Sequence, residues 1–237
     1  MKQKLLFFPR LIWNFFMRLF LKSYVQLSFK GLAQLPKNQK FIIVSNHTSH
    51  LDALCLVAAV PLKQIQKTYV AAAKDCFFRS FWRSIFFKFV INAIPFDRFN
   101  NPFQSLSNCA EKIVGKQSVL VFFPEGTRSS TGVIQKFKPG IGRLAAGTET
   151  LVVPAYIEGA HQAWPKTRWL PLPYAVKITF GKPLSFSNIP RTKKGFLFIA
   201  NELEKEVKQI FTSELIPNMI QKLNSPYKNL KTRKIYE

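Results

Sequence analysis

Two short strings hold residue types that can do chemistry together. In the first, Asn46, His47, Thr48, Ser49, His50, Leu51 and Asp52 follow the apolar run 41–45, and a histidine stands five positions before a carboxylate. A carboxylate in the first turn of a helix can turn back and accept from one nitrogen of His47. That contact fixes the tautomer and leaves the other nitrogen as a base. A histidine of ordinary pKa, about 6.5, suits general-base work near neutrality. With no serine nucleophile alongside, a substrate hydroxyl takes the place of the serine in the triad scheme. The same spacing also serves a capping histidine beside a helix-start acid, and His47, His50 and Asp52 form a thin metal set with only His161 left among the histidines.

The second string is Phe123, Pro124, Glu125, Gly126, Thr127, Arg128 and Ser129, just past the apolar run 118–122. Pro124 ends the strand pattern, and Gly126 lets backbone pass close to a ligand. Arg128 offers a fork of donors that matches a phosphate. Glu125 is placed either to accept from a substrate hydroxyl or to orient Arg128; a Glu–Arg pair closing the turn is the purely structural alternative. Arg98 follows another apolar run. Lys138, in Phe137, Lys138, Pro139, Gly140, stands where a helix opens toward an anion. A base and a phosphate grip are what deprotonating a phosphorylated alcohol requires. The chain has no Gly-x-Ser-x-Gly elbow, phosphate-binding P-loop or dinucleotide fingerprint.

The elements that must position these strings are legible as apolar runs. Strands are expected over 41–45, 68–72, 91–95, 118–123, 151–157 and 175–180. Several are continuous rather than alternating, which suits strands covered on both faces. Thr48 or Ser49 is expected to cap a helix beginning near His50. Asn101 caps another with Pro102 at its first position; Leu106, Cys109, Ala110 and Ile113 share one face, and Gly115 stops it. Leu203, Val207, Ile210 and Phe211 repeat at helical spacing, with Glu204 and Lys208 an i,i+4 pair, and Pro217 disfavours continuation. Strands alternating with helices predict an α/β fold with a mostly parallel central sheet flanked by helices. Both strings then fall at carboxyl ends of strands, where such sheets place their sites.

The 237 residues make one principal domain. We divide them into an N-terminal helical segment (1–30), a central domain (31–215) and a basic tail (216–237), loosely held at its end. The formal charge of +23 demands anionic partners. No acid precedes Asp52, while eight Lys and Arg do, interleaved with Leu, Phe and Trp. Basic plus bulky apolar is the composition of an amphipathic membrane-surface helix rather than of a nucleic-acid arm. Pro9 and Arg10 interrupt the run, and Asn14 and Arg18 lie within it, so one or two interfacial helices joined near Pro9 are expected rather than a span. Packing of this segment on the domain is the other use of the same pattern. Cys55, Cys76 and Cys109 have no metal-type spacing and read as buried thiols of a reducing compartment.

Taken together, the chain resembles the lysophospholipid acyltransferase family. Asn46, His47 and Asp52 match its Asn-His-x4-Asp box, Arg98 stands where the arginine of the second block is expected, residues 123–129 read as the Phe-Pro-Glu-Gly-Thr-Arg-Ser block, and Val153, Pro154 and Ala155 resemble the fourth. The resemblance covers roughly residues 25–185. It implies His47 as general base oriented by Asp52, with Arg98, Glu125, Gly126 and Arg128 holding the acceptor; Thr127 and Lys138 are expected beside them. It implies acyl transfer from acyl-CoA or acyl-carrier protein to a lysophospholipid hydroxyl, foremost 1-acylglycerol-3-phosphate, with no metal, cofactor or covalent enzyme intermediate. The expected setting is the cytoplasmic face of an anionic membrane, held peripherally, with no nucleic-acid partner. Pro95 and Phe96 before Asp97, and the string 161–166, depart from the family pattern. They leave open another lyso-lipid acceptor, such as a lyso-ornithine lipid. A non-catalytic membrane-binding protein is the remaining alternative.

Overall fold

Seven strands form one sheet: β1 (Ser28–Lys30), β2 (Phe41–Ser45), β3 (Thr68–Ala73), β4 (Ala93–Phe96), β5 (Val119–Phe122), β6 (Leu151–Glu158) and β7 (Lys177–Phe180). The computed structural model describes residues 7–77, 80–115 and 117–228. Strand order is β1-β7-β6-β2-β5-β3-β4. Five neighbouring pairs are parallel, and β6 with β7 is antiparallel. All six expected strands are present, three of them shorter than their apolar runs. The three-residue β1 is an addition; it has too little apolar sequence to be read as a strand and exists because β7 offers it a parallel edge.

The continuous apolar runs are explained by cover on both faces. Phe41 and Ile43 point into one core layer, and Ile42 and Val44 into the other. The first layer is closed by α1 (Phe7–Tyr24), α2 (Asp52–Ala59) and α4 (Phe81–Ile91) through Met17, Leu21, Cys55, Leu56 and Val90. The second is closed by α5 (Pro102–Lys112), α6 (Gly140–Ala145) and α8 (Lys193–Lys228) through Leu106, Ile141, Leu144, Ile199 and Leu203. Two one-turn helices, α3 (Lys74–Phe77) and α7 (Ala160–Ala163), follow β3 and β6.

Several local expectations are corrected. Helix α2 begins at Asp52, after Leu51 rather than after Thr48 or Ser49, and no side chain caps it. The reason is that Asp52 itself takes the N–H groups of Thr48 and Ser49. The side chain of Asn101 makes no cap, although α5 does start at Pro102; Ala110 is exposed and Ser105 takes a buried place instead. Pro217 does not end α8, which runs 36 residues to Lys228 and loses one backbone donor there. Residues 229–237 of the tail lie outside the described residues, as do the side chain of Cys76 and any helix over residues 1–6.

The N-terminal segment packs on the domain along one face and leaves an apolar row exposed along the other. Asn14, Met17 and Leu21 are buried against the domain. Arg10 donates to the carbonyls of Lys88 and Phe89 at the end of α4, and Arg18 to that of Val60. Both arginines that interrupt the apolar run are therefore turned inward as ties. Outward, Phe8, Ile12, Phe15, Phe16, Leu19 and Phe20 stay exposed. Pro9 lies in the first turn of α1, where its missing donor is tolerated. No described helix is long and apolar enough to cross a membrane.

Helices α6 and α8 touch through Gly142, where a Cβ would sit 2.3 Å from the carbonyl oxygen of Phe196 and 2.4 Å from its Cα. Backbone cannot step aside as a side chain can. Gly142→Ala is expected to destabilise the fold by about 2 kcal/mol or more, read as a lower urea midpoint at unchanged slope.

Candidate active site

Strand β2 carries the chain to Asn46, whose side chain continues the sheet one residue beyond the backbone ladder. Its Nδ2 donates to the Ile157 carbonyl at 3.0 Å and its Oδ1 accepts from the Ile157 N–H at 2.8 Å. His47 is thereby delivered at the strand end. The Nδ1 of His47 lies 2.8 Å from Asp52 Oδ2, which also accepts from the N–H groups of Thr48 (2.7 Å) and Ser49 (2.8 Å). An oxygen receiving two backbone N–H groups acts as an acceptor, so Nδ1 carries the proton and Nε2 keeps the lone pair. The ring stacks on Phe123, with centroids 4.0 Å apart, and its side chain is 20% exposed. Asp52 is fully buried.

The second string arrives from β5. Its Glu125 is buried and accepts from the His47 N–H at 3.0 Å. It neither pairs with Arg128 nor lines the cavity, so both expected placements of this carboxyl are corrected. Burial, with the nearby Asp52 charge adding to it, pushes the Glu125 carboxyl up to about 8. Ser129 closes the junction by donating its N–H to the His47 carbonyl at 2.8 Å. Gly126 has φ +73°, and a Cβ there would meet Lys138 Nζ at 2.9 Å.

His47, Arg98, Gly126, Thr127, Arg128 and Lys138 line one cavity of about 600 Å³, while Asp52 and Glu125 stand behind it. The cavity wall is mainly apolar, built from β3 alanines 71–73 and from Phe96, Phe103, Leu106 and Phe122. Arg98 donates to Asp75 at 2.8 Å and to the Gly126 carbonyl, so it braces the turn. His50 lies against Arg128 through Nε2 and against the Trp164 ring at 5.0 Å. Burial first, then the Arg128 charge, lowers its pKa to about 4, so its Nε2 accepts a hydrogen bond from Arg128 as a neutral ring. His50 lines the same cavity, and sequence reasoning missed its bond to Arg128. It also missed Arg143, Lys166 and Lys193 at the cavity. No local spacing marks those three; the string ending in Lys166 was the one hint.

Comparison with known proteins decides the family. The Acyltransferase family model matches residues 26–158. The chain belongs to this family. It is 32% identical over 152 residues to a 1-acyl-sn-glycerol-3-phosphate acyltransferase of Cocos nucifera, covering 62% of this chain and 46% of that protein. It is 26% identical over 216 residues to a probable 1-acyl-sn-glycerol-3-phosphate acyltransferase of Mycoplasma genitalium, covering 79% of this chain and 74% of that one. The chain spans about half the length of the plant relatives it matches. The crystal structure of the 1-acyl-sn-glycerophosphate acyltransferase PlsC from Thermotoga maritima superposes with a TM-score of 0.65 at 22% identity, over 87% of this chain and 79% of that one. This last likeness shows a shared fold.

The Glu125 carboxyl gives a measurable pH signature. Its ordinary value is 4.5 and its folded value about 8. Between those limits the folded chain holds a proton that the unfolded chain has released, so its contribution to stability falls as pH rises. Glu125→Gln keeps an acceptor for the His47 N–H and removes the titration. Denaturation of both proteins from pH 5 to about 8 should show the wild type losing stability relative to Glu125→Gln.

Proposed function

We propose that this chain transfers a fatty acyl group from a thioester, acyl-CoA or acyl-carrier protein, to the free hydroxyl of a lysophospholipid, foremost 1-acylglycerol-3-phosphate, giving phosphatidic acid. The observation that carries the reading is a histidine fixed by a buried carboxylate at the wall of an apolar cavity bordered by Arg128 and Lys138. The names of the plant and mycoplasmal relatives support it.

In this reading the acceptor phosphate meets Arg128 and Lys138, and its hydroxyl faces Nε2 of His47. The hydroxyl oxygen attacks the thioester carbonyl carbon while His47 takes its proton. The tetrahedral intermediate collapses, the carbon–sulfur bond breaks, and the imidazolium returns the proton to the departing thiolate. Asp52 holds the ring and stabilises its transient charge. The apolar wall takes the acyl chain and excludes water, which would otherwise compete as the nucleophile. Arg98 serves this scheme by bracing the turn that carries Gly126 and Thr127.

The chain is held peripherally on a membrane by the apolar row of α1, continued by Phe81, Trp82, Ile85 and Phe86 of α4. The Trp13 and Phe86 rings meet edge to face, so the two helices present one surface. The free and buried Cys55 and Cys109 suit the cytoplasmic side.

The test is thiol release from a long-chain acyl-CoA with lysophosphatidate added or omitted. Release that requires the acceptor is the expected result. His47→Ala should lower kcat by about a hundredfold to ten-thousandfold, and Arg128→Ala should act chiefly on the KM for lysophosphatidate. Wild-type protein that releases no thiol from acyl-CoA or acyl-carrier protein with any lyso-lipid would overturn the reading.

A further inference from the structure

The loop between β6 and β7 carries the most exposed large apolar side chain among the described residues, Trp169 at 89%. Leu170 beside it is 65% exposed, and Leu172 and Tyr174 are also at the surface. Single exposed apolar residues need no account, but a tryptophan in a run of four does. The loop is built rather than slack. Arg168 donates its N–H to the Pro165 carbonyl at 3.1 Å, Leu172 to that of Ala163 at 2.7 Å, and Trp164 Nε1 to the Arg168 carbonyl at 3.0 Å. Its base is pinned beside the first string, where Ser49 Oγ donates to the Trp164 carbonyl at 2.7 Å.

The loop is also continuous with α1. Tyr24, the last residue of that helix, donates its hydroxyl to the Pro171 carbonyl at 3.1 Å and stacks on Phe20 at 5.1 Å. The apolar row that begins at Phe8 therefore passes through Phe20 and Tyr24 onto the loop. Charge points the same way. Between Glu158 and Glu202 the chain has no acidic residue and seven Lys and Arg, with Lys166 and Arg168 just before the tryptophan. On α1 the arginines are turned inward and Lys22 is its exposed cation, so these loop cations add to a small outward charge.

We propose that Trp169 and Leu170 insert into the surface of an anionic lipid bilayer, as a second attachment beside the joint surface of α1 and α4. Tryptophan between apolar neighbours and cations is suited to the headgroup boundary. A separate attachment on the loop widens the footprint beyond the α1 and α4 surface and so fixes the orientation of the domain. Because Lys166 lines the cavity, the second attachment brings the cavity mouth to the lipid surface. The proposal rests on the membrane reading above.

The test uses the full chain and vesicles of phosphatidylcholine doped with phosphatidylglycerol. The double variant Trp169→Ser, Leu170→Ser should partition onto them about tenfold more weakly. A fluorophore on Leu170→Cys should be quenched by brominated lipid. Vesicles of phosphatidylcholine alone should bind the wild type less well than the anionic ones. Thermal unfolding of the double variant should match the wild type, since both side chains are exposed.

Unchanged partition of the double variant, or a label insensitive to brominated lipid, would overturn the proposal. So would equal binding to neutral vesicles. If the loop instead covers a second copy of the chain, the double variant will alter sedimentation without vesicles while keeping wild-type partition, which also overturns it. Thiol release to monomeric short-chain lysophosphatidate, measured without vesicles, should be the same in both proteins. Its absence in the wild type would count against acyl transfer, while the partition result would still decide separately whether the loop binds lipid.

Discussion

The oxygen Oδ2 of Asp52 accepts from His47 Nδ1, Thr48 N and Ser49 N at once, within a residue that has no solvent exposure. A carboxylate buried without such donors would be costly. With them it pulls six residues of chain into a closed loop and chooses the tautomer of the histidine. Helix α2 starts at this residue, so the positive end of its dipole adds to the same stabilisation. The grip extends beyond the ring. Glu125 takes the His47 N–H, and Ser129 donates to the His47 carbonyl. His47 is thus held at ring, amide and carbonyl, and two of those three ties come from the other string.

That junction depends on the register of three parallel strands. Strand β2 lies between β5 and β6, with Val44 opposite Phe122 and Ser45 opposite Ala155. The strings that follow β2 and β5 therefore leave the sheet at the same height. Asn46 then uses its amide as a surrogate peptide, exchanging both hydrogen bonds with Ile157. The sheet is in effect one residue longer at its centre than its backbone ladder, and His47 rises from that extended edge. A shift of one residue in the β2–β5 pairing would turn every inward side chain of β2 to the wrong layer. The core in both layers thereby protects the alignment of the site.

What the sequence discloses follows from how local each determinant is. The six main strands were legible because residues such as 41–44 and 119–122 are short, uninterrupted apolar runs, a pattern that suits a doubly covered sheet. The His47–Asp52 contact was legible because both partners lie within one turn of chain. The bonds from Glu125 to His47 and from Arg128 to His50 each join residues 78 apart, and nothing local announces which acid will face which donor. Strand β1 was invisible for the same reason, since it is held by β7 and by Lys30 on Glu214 of α8, 184 residues away. Glu214 also takes Lys177, so one buried carboxylate ties both strands of that edge to the helix. Pro217 misled because a helix already docked through Ile199, Leu203 and Val207 outlasts the loss of one donor.

The division of labour within the second string has a geometric cause. Glu125 and Arg128 are close enough in sequence to pair, and a pair would bind the cation to an acid. The left-handed turn at Gly126 separates them, sending the carboxyl inward to His47 and the guanidinium to the cavity. The neutral ring of His50 then accepts a hydrogen bond from Arg128. This contact orients the guanidinium without setting a negative charge against it, as a glutamate would. The same turn brings Lys138 Nζ within 2.9 Å of the place a Cβ at Gly126 would take, so the lysine shares this wall. The left-handed turn at Gly126 therefore lets an arginine, a lysine and a base share one wall, with the acid that could neutralise the cations turned away behind it.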